Sequence, residues 1–325
     1  MTLHRRRFLR LAGAAVAMPA VSRGALAQAY PSRPLKLVIG YPPGGSADIT
    51  ARLTAQFLGE KLGQSVIVES RPGGGTNIAT ETVINAPADG YTLLLVAPAN
   101  AINATLYEKL NHNYLRDTTQ IAGLIRFSNV IVVNPSVPVT TVPELIAHLK
   151  ANPGKLNMAS SGNGSTIHMS GELFKMMTGT DMTHVPYRGG ALALTDMVGG
   201  QVQVMFDNIP TSAGHIKAGK LRGLAVTSAE PSEVLPDLPA VAEFLPGYEA
   251  SAWYGLGVPK GTPPEVIATL NKVMNAILAD PKAQARFKEL GATLLPGSAA
   301  DFGKLLVDET EKWGKVVKFA GAKPD

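Results

Sequence analysis

The sequence predicts an α/β protein of two similar halves, each a mainly parallel sheet flanked by helices. Three observations carry that expectation. Short apolar runs alternate with helical periodicities along most of the chain, the pattern of parallel strands and their right-handed crossovers. The alternation restarts near Asn129. The length, 325 residues, suits two domains that each bury a core of their own. A hydrophobic share of 45% excludes disorder. The absence of cysteine excludes disulfide scaffolds, thiolate metal centres and thiol nucleophiles.

Residues 1–27 read as an export signal. A basic head carries Arg5, Arg6, Arg7 and Arg10, an apolar stretch covers 11–21, and Ala25 and Ala27 suit a signal peptidase cutting before Gln28. A membrane anchor needs about 20 apolar residues, and this stretch is shorter and interrupted by Pro19. Arg5-Arg6-Arg7-Phe8-Leu9-Arg10 resembles the twin-arginine export motif, with His4 where Ser or Thr is usual. These arginines and Arg23 account for the whole formal charge of +5, so the basic balance argues for no nucleic-acid partner. No later segment approaches 18 uninterrupted apolar residues, and no cysteine follows the signal to carry a lipid. The expected compartment is the periplasm.

Element by element, the first half opens with a buried strand at 35–40 that ends in glycine. After a loop at 41–48, Ile49, Leu53, Phe57, Leu58 and Leu62 recur at helical spacing. Strands follow at 66–68 and 92–96, separated by a glycine loop at 71–75 and a helix at 76–85. In the second half, 130–133 is a strand, and Thr141 with Glu144 forms a capping box for a helix through Leu149. A strand at 156–159 leads through the loop 160–165 into a helix that runs to about Met177. Strands at 183–185, 202–206 and 221–226 and a helix at 190–198 complete the second sheet. The proline-rich stretch 230–248 reads as a connector. A strand at 251–258 and helices at 264–278, 281–290 and 300–320 finish the chain.

Each half holds one loop that leaves a strand end and opens a helix, at 43–48 and 160–166. Such a loop exposes backbone N–H groups beside the positive end of the helix dipole, which favours an anion. Gly44, Gly45, Gly162 and Gly164 let the backbone approach a ligand, and Ser46, Ser161, Ser165 and Thr166 add hydroxyls. The same glycines also serve as plain turns, with Asp48, Ser165 or Thr166 as helix caps. Neither loop has the Gly-Lys-Ser/Thr ending of a phosphate-binding loop, and no Gly-x-Ser-x-Gly elbow exists. Ser165, His168 and Asp207 could be assembled into a triad, but nearly any chain offers such a set. The scattered histidines lack metal-ligand spacing, and no cofactor is expected. Arg71 and Arg188 sit by glycines, either to clamp a carboxylate or to hold their own loops. Trp253-Tyr254 reads as core or hinge packing.

Taken together, Gly40-Tyr41-Pro42-Pro43-Gly44-Gly45-Ser46-Ala47-Asp48, Arg71-Pro72-Gly73-Gly74-Gly75, Asp89-Gly90-Tyr91-Thr92-Leu93, Ser160-Ser161-Gly162-Asn163-Gly164-Ser165, His168, His184-Val185-Pro186-Tyr187-Arg188-Gly189 and Gly199-Gly200-Gln201-Val202 resemble the Bug family. These are the substrate-binding proteins of tripartite tricarboxylate transporters. Leu224-Ala225-Val226-Thr227-Ser228 and the segment from Trp253 also fit, so the resemblance spans essentially the whole mature chain.

The resemblance implies a periplasmic-binding-protein fold of two lobes, 28–127 plus about 250–325 and about 128–249, closing on a small organic carboxylate. Gly44, Ser46, Asp48 and Asn77 would belong to one jaw. Ser161, Gly164, Ser165, Thr166 and Asp207 would belong to the other, with waters bridging the carboxylate to backbone. Apart from the resemblance, a cleft lined by Tyr41 and Phe206 could admit an aromatic ring. The implied partners are a large and a small membrane subunit, and the implied state is a monomer with no catalytic residues. Leu192 stands where the family usually has Pro, and Gly74 and Thr76 where Ala and Gly are common, so loop shape and ligand preference are expected to differ. Two rival readings stay open: a periplasmic hydrolase using Ser165 and His168, and a ligand-sensing subunit of a membrane signalling system.

Overall fold

In the computed structural model, residues 30–324 are described; the export signal read at 1–27 lies outside them. In chain order the first elements are β1 (Leu35–Ile39), α1 (Ser46–Leu62), β2 (Val66–Ser70), α2 (Asn77–Ile84), β3 (Thr92–Val96), α3 (Pro98–Leu106) and a single turn, α4 (Tyr114–Asp117). A long strand, β4 (Thr118–Val133), leads into α5 (Val142–Ala151), β5 (Asn157–Ser160), α6 (Thr166–Thr178), β6 (Thr183–Pro186), α7 (Gly190–Val198), β7 (Val204–Asn208), α8 (Ile209–Lys217) and β8 (Arg222–Val226). The chain then returns through β9 (Ser251–Pro259), α9 (Pro264–Leu278), α10 (Pro281–Glu289), β10 (Ala292–Leu294) and α11 (Ala299–Ala320).

From Arg33 on, these elements pack as one compact unit. Its strands follow the order β2-β1-β3-β9-β4-β7-β5-β6, with β10 and β8 also paired to β4. The parallel reading holds for two triplets, β2-β1-β3 and β6-β5-β7. Antiparallel β4 and β9 join them: residues 118–128 of β4 pair with β9, and residues 129–133 pair with β7 and β8. The sequence revealed only the last four residues of β4. Its earlier part carries two register shifts, beside Gln120 and beside Gly123, and its polar residues break any alternation. Burial nonetheless covers every β4 residue except Thr119 and Arg126.

Local chemistry sets the helix ends. The N-terminus of α6 is capped by Ser165, whose Oγ accepts the His168 backbone N–H at 3.2 Å. Thr141 likewise caps α5 by accepting from Glu144 N–H, but Glu144 returns its carboxylate to the N–H of Thr140, one residue earlier than the expected box. Helices α3 and α8 and strand β10 have no counterpart in the sequence reading; α3 and α8 start on Pro98 and Pro210 in or beside their first turn, a start signal that follows directly on a strand end. Strand β7 begins and ends two residues later than expected, which carries Asp207 and Asn208 to its C-terminal end.

Apolar burial forms a first-half core around Val38, Leu94, Val96, Trp253, Phe302 and Leu306. Two cores flank the second triplet, one of them holding Phe174, Phe206 and Tyr248. Helix α11 contributes to both halves, with Phe302 and Leu306 in the first core and Trp313, Val316 and Val317 in a second-half core. Its hydrophobic stripe is thus shared along its length, a consequence of 22 residues at about 1.5 Å rise each.

Candidate functional site

Strands of a parallel triplet end at one edge, and the helices that follow them begin there. Here that edge encloses a cavity of about 230 Å³. Five helix N-termini open onto it: α1 through Gly45, Ser46 and Ala47, α3 through Ala97 and Pro98, α6 through Ser165, Thr166 and Ile167, α7 through Gly189 and Gly190, and α8 through Asn208 and Thr211. Each end carries orphan N–H groups and roughly half a positive charge from its dipole. Among the described residues, no Lys, Arg or His lines the cavity. Fixed dipoles and hydroxyls therefore supply the positive potential. Pro42, Pro43, Ala191, Leu192 and Ala252 add an apolar stretch to the wall.

Of the ten residues proposed from sequence, Tyr41, Ser46, Ser161, Ser165, Thr166 and Asp207 line this cavity. The other four stand behind it. Asp48, in the first turn of α1, accepts the Gly44 N–H at 3.1 Å and the Arg52 Nε–H at 3.0 Å, so it fixes the 43–45 loop rather than facing the cavity. Gly44 supplies that N–H from a left-handed φ of 89°. Asn77 accepts from the Asn103 amide, 3.0 Å away, tying α2 to α3. Gly164 has φ of 73°, and a Cβ there would meet Leu106 Cδ2 at 2.5 Å. Its bareness serves the approach of α6 to α3. Phe206, expected in the cleft, is fully buried against Phe174 instead, because alternation along β7 turns it away from the face that Asp207 takes.

The lining also includes Asn208, Thr211 and Tyr254, which the sequence reading did not assign to the site. Tyr254 sits one residue from the core Trp253, and only the alternation of β9 separates their faces. Ser46 Oγ donates to Asn208 Oδ1 at 2.7 Å and lies 2.9 Å from Tyr254 Oη, so the tyrosine is the donor in that second bond. Asn208 in turn donates to Asn129, and Asn129 to Ser170. This chain links α1 to β7, β4 and α6. Burial raises the ionisation of both Tyr254 and Tyr41 above the ordinary phenol range, keeping them neutral donors.

Asp207 is the one carboxylate in the lining. Burial pushes it up to about 6, against the lowering effect of hydroxyl bonds from Ser212 and Thr211, the latter at 2.7 Å. Thr166 and Ser161 have hydroxyls that no protein group engages among the described residues, leaving them free to face a bound molecule.

The Ser165–His168 pairing does not build a nucleophile. Ser165 Oγ caps α6, and the His168 ring accepts the Gly164 N–H on Nδ1 at 3.2 Å, which places its proton on Nε2 toward Glu172. The ring stacks on His184 at 3.7 Å with planes 5° apart, and His184 Nε2 reaches Ser160 Oγ at 2.6 Å. Burial depresses His184 to about 3, so this ring is neutral. The pair braces the 160–165 loop from behind. Of the two arginines considered, Arg71 bonds Glu69 and Arg188 is exposed. Among the described residues no cluster of His, Asp and Glu could hold a metal ion, and no helix is long and apolar enough to cross a membrane.

A two-part α/β frame with converging helix N-termini and an unactivated serine defines a small-molecule binding protein. Comparison with known proteins agrees. Residues 50–322 match the family described as tripartite tricarboxylate transporter family receptor, and the chain belongs to this family of Bug-type solute receptors. It is 34% identical over 320 residues to Protein BugT of Bordetella pertussis, covering 98% of each chain. Among solved structures it resembles R. palustris Rpa4515 with adipate, at TM-score 0.88 and 38% identity over 91% of this chain and all of that one. It also resembles the periplasmic binding protein BugD, at TM-score 0.85 and 32% identity over 91% of this chain and all of BugD. The fold is therefore that of periplasmic binding proteins, and the family consists of receptors rather than enzymes.

Proposed function

We propose that this receptor works in the periplasm, closing two lobes on a small organic carboxylate and presenting it to the large and small membrane subunits of a tripartite transporter. One lobe comprises β1–β3 with the C-terminal elements, the other β5–β8, and β4 and β9 cross between them. The single observation that carries the reading is the convergence of five helix N-termini on a cavity that, among the described residues, has no cationic side chain. Such a site holds a carboxylate by N–H groups and hydroxyls and releases it more readily than a buried ion pair would. We assign carboxylate contact to the hydroxyls of Ser161, Ser165 and Thr166 and to the backbone N–H groups beside them and at Ser46, whose own hydroxyl proton goes to Asn208, with Tyr41, Leu192 and Ala252 against the ligand's carbon skeleton. Asp207 faces a ligand donor group or, protonated, donates to a second carboxylate. Gly44, Asp48, Asn77 and Gly164 hold the loops in place. The protein acts as a monomer, and its N-terminal segment directs export.

The adipate in Rpa4515 makes a straight dicarboxylate the first ligand to try. The test is a thermal-shift screen of the chain from Gln28 against mono-, di- and tricarboxylates, acidic amino acids and aromatic acids. A ligand at about 100 times its Kd adds roughly 2.7 kcal/mol, a shift of a few degrees. Thr166→Val should weaken the hit about tenfold or more, because it removes a hydroxyl bond to a charged group. No shift with any carboxylate, in protein freed of carried-over ligand, would overturn the proposal. Gly164→Val is a poor probe, since its Cβ collides with Leu106 and would damage the fold as well.

A further inference from the structure

A second cavity, of about 450 Å³, lies beside the crossing of β4 and β9 and shares no lining residue with the cleft. Its walls come from 126–128 of β4, Ser251 at the start of β9, β10, α10 and the loop 228–234. Into it projects Arg126, one of the two β4 residues that escape full burial. Its Nε is buried and reaches no acceptor, and among the described residues its guanidinium forms no ion pair. The carboxylate that feels its charge, Glu249, is already engaged by Lys312 and Ser251.

A buried guanidinium donor without an acceptor is destabilising, and its planar fork matches a two-oxygen anion. The wall offers further donors, less buried than Arg126 Nε. Ser232 accepts the Val234 N–H and keeps its own hydroxyl proton uncommitted, the Thr293 hydroxyl is free, and the Lys288 ammonium stands 3.6 Å from Glu233. Glu230 and Glu233 share that wall, and their charges repel any multiply charged anion. We infer that the Arg126 crevice is a second binding site, separate from the transport cleft, that takes a singly charged carboxylate on a small neutral body. Arg126 grips the carboxylate in bidentate fashion, Ser232 and Thr293 add hydroxyl bonds, and Val234 and Leu294 receive the apolar body.

Chemical protection tests this without relying on any variant to fold. The chain from Gln28 is treated with phenylglyoxal, and modification at each arginine is followed by peptide mapping, with and without benzoate or inorganic phosphate. Benzoate should slow modification of Arg126 at least fivefold and leave the exposed Arg116, which lines neither cavity, unchanged. In parallel, calorimetric titration with benzoate should lose one site, or show it weakened tenfold or more, in Arg126→Gln. Equal modification of Arg126 with and without benzoate would overturn the inference, and protection by phosphate alone would overturn the carboxylate class.

Discussion

At the scale of single residues, the most consequential feature is Asp207, a carboxyl held among helix N-termini yet displaced upward by burial from 3.8 to about 6. The folded state therefore binds this proton more tightly than the unfolded chain does. Stability attributable to the group is full below about pH 4 and is lost as pH rises through 6, the reverse of a salt-bridged aspartate. At about 1.36 kcal/mol per unit, the cost at neutral pH is at most ~3 kcal/mol. Asp207→Asn should thus raise the melting temperature of the ligand-free protein at pH 7.5, with the gain shrinking to nothing near pH 4. A pH-independent gain, or none, would show that the ionised carboxylate is not strained. The sequence alone marked the residue only as an acid near the proposed cleft, with no local signature to fix its role, and the family resemblance placed it in the second jaw. Loop composition pointed to Ser46, Ser161, Ser165 and Thr166, because glycines and hydroxyls at a helix start have a local signature. Asn208, Thr211 and Tyr254 have none: they reach the cavity through strand alternation and through a β7 that ends two residues later than its apolar run suggests.

At the scale of elements, the parallel triplets were readable because each strand is a short apolar run followed by a periodic helix. The long β4 was not, since its bulges and polar residues hide a strand buried on both faces. Helices α3 and α8 were missed because each follows a strand without an intervening loop, yet they supply two of the five N-termini at the cavity. Helix α11 was expected as a terminal amphipathic element; its role as a tie was not visible. One oxygen of Glu309 accepts the indole N–H of both Trp253 and Trp313, at 2.9 and 2.8 Å, pinning α11 to β9. Glu309 is itself buried. Glu309→Leu leaves two buried donors without an acceptor and should cost about 2–5 kcal/mol. Denaturant unfolding followed by tryptophan fluorescence reads this directly, because these are the chain's only two tryptophans. An unchanged midpoint would mean that apolar packing of α11 alone holds the C-terminus.

At the scale of the whole molecule, two contacts cross the mouth of the cavity. Ser46 on one side bonds Asn208 on the other at 2.7 Å, and the rims meet where a Cβ on Gly189 would touch Pro42 Cγ at 2.5 Å. A single net hydrogen bond contributes about 0.5–1.5 kcal/mol, so if the halves move as proposed, the Ser46–Asn208 bond biases closure by roughly a factor of ten. That is the regime a receptor needs. A ligand touching both sides shifts the balance by its differential affinity for the closed form, and apparent affinity scales with the closed fraction. Ser46→Ala should therefore enlarge the ligand-free protein's radius of gyration in small-angle scattering and weaken ligand two- to tenfold, mostly through faster release. Scattering separates the two ways Ser46 can act. A lost ligand contact alone would weaken binding and leave the ligand-free profile unchanged, whereas loss of the latch alters the profile before any ligand is added.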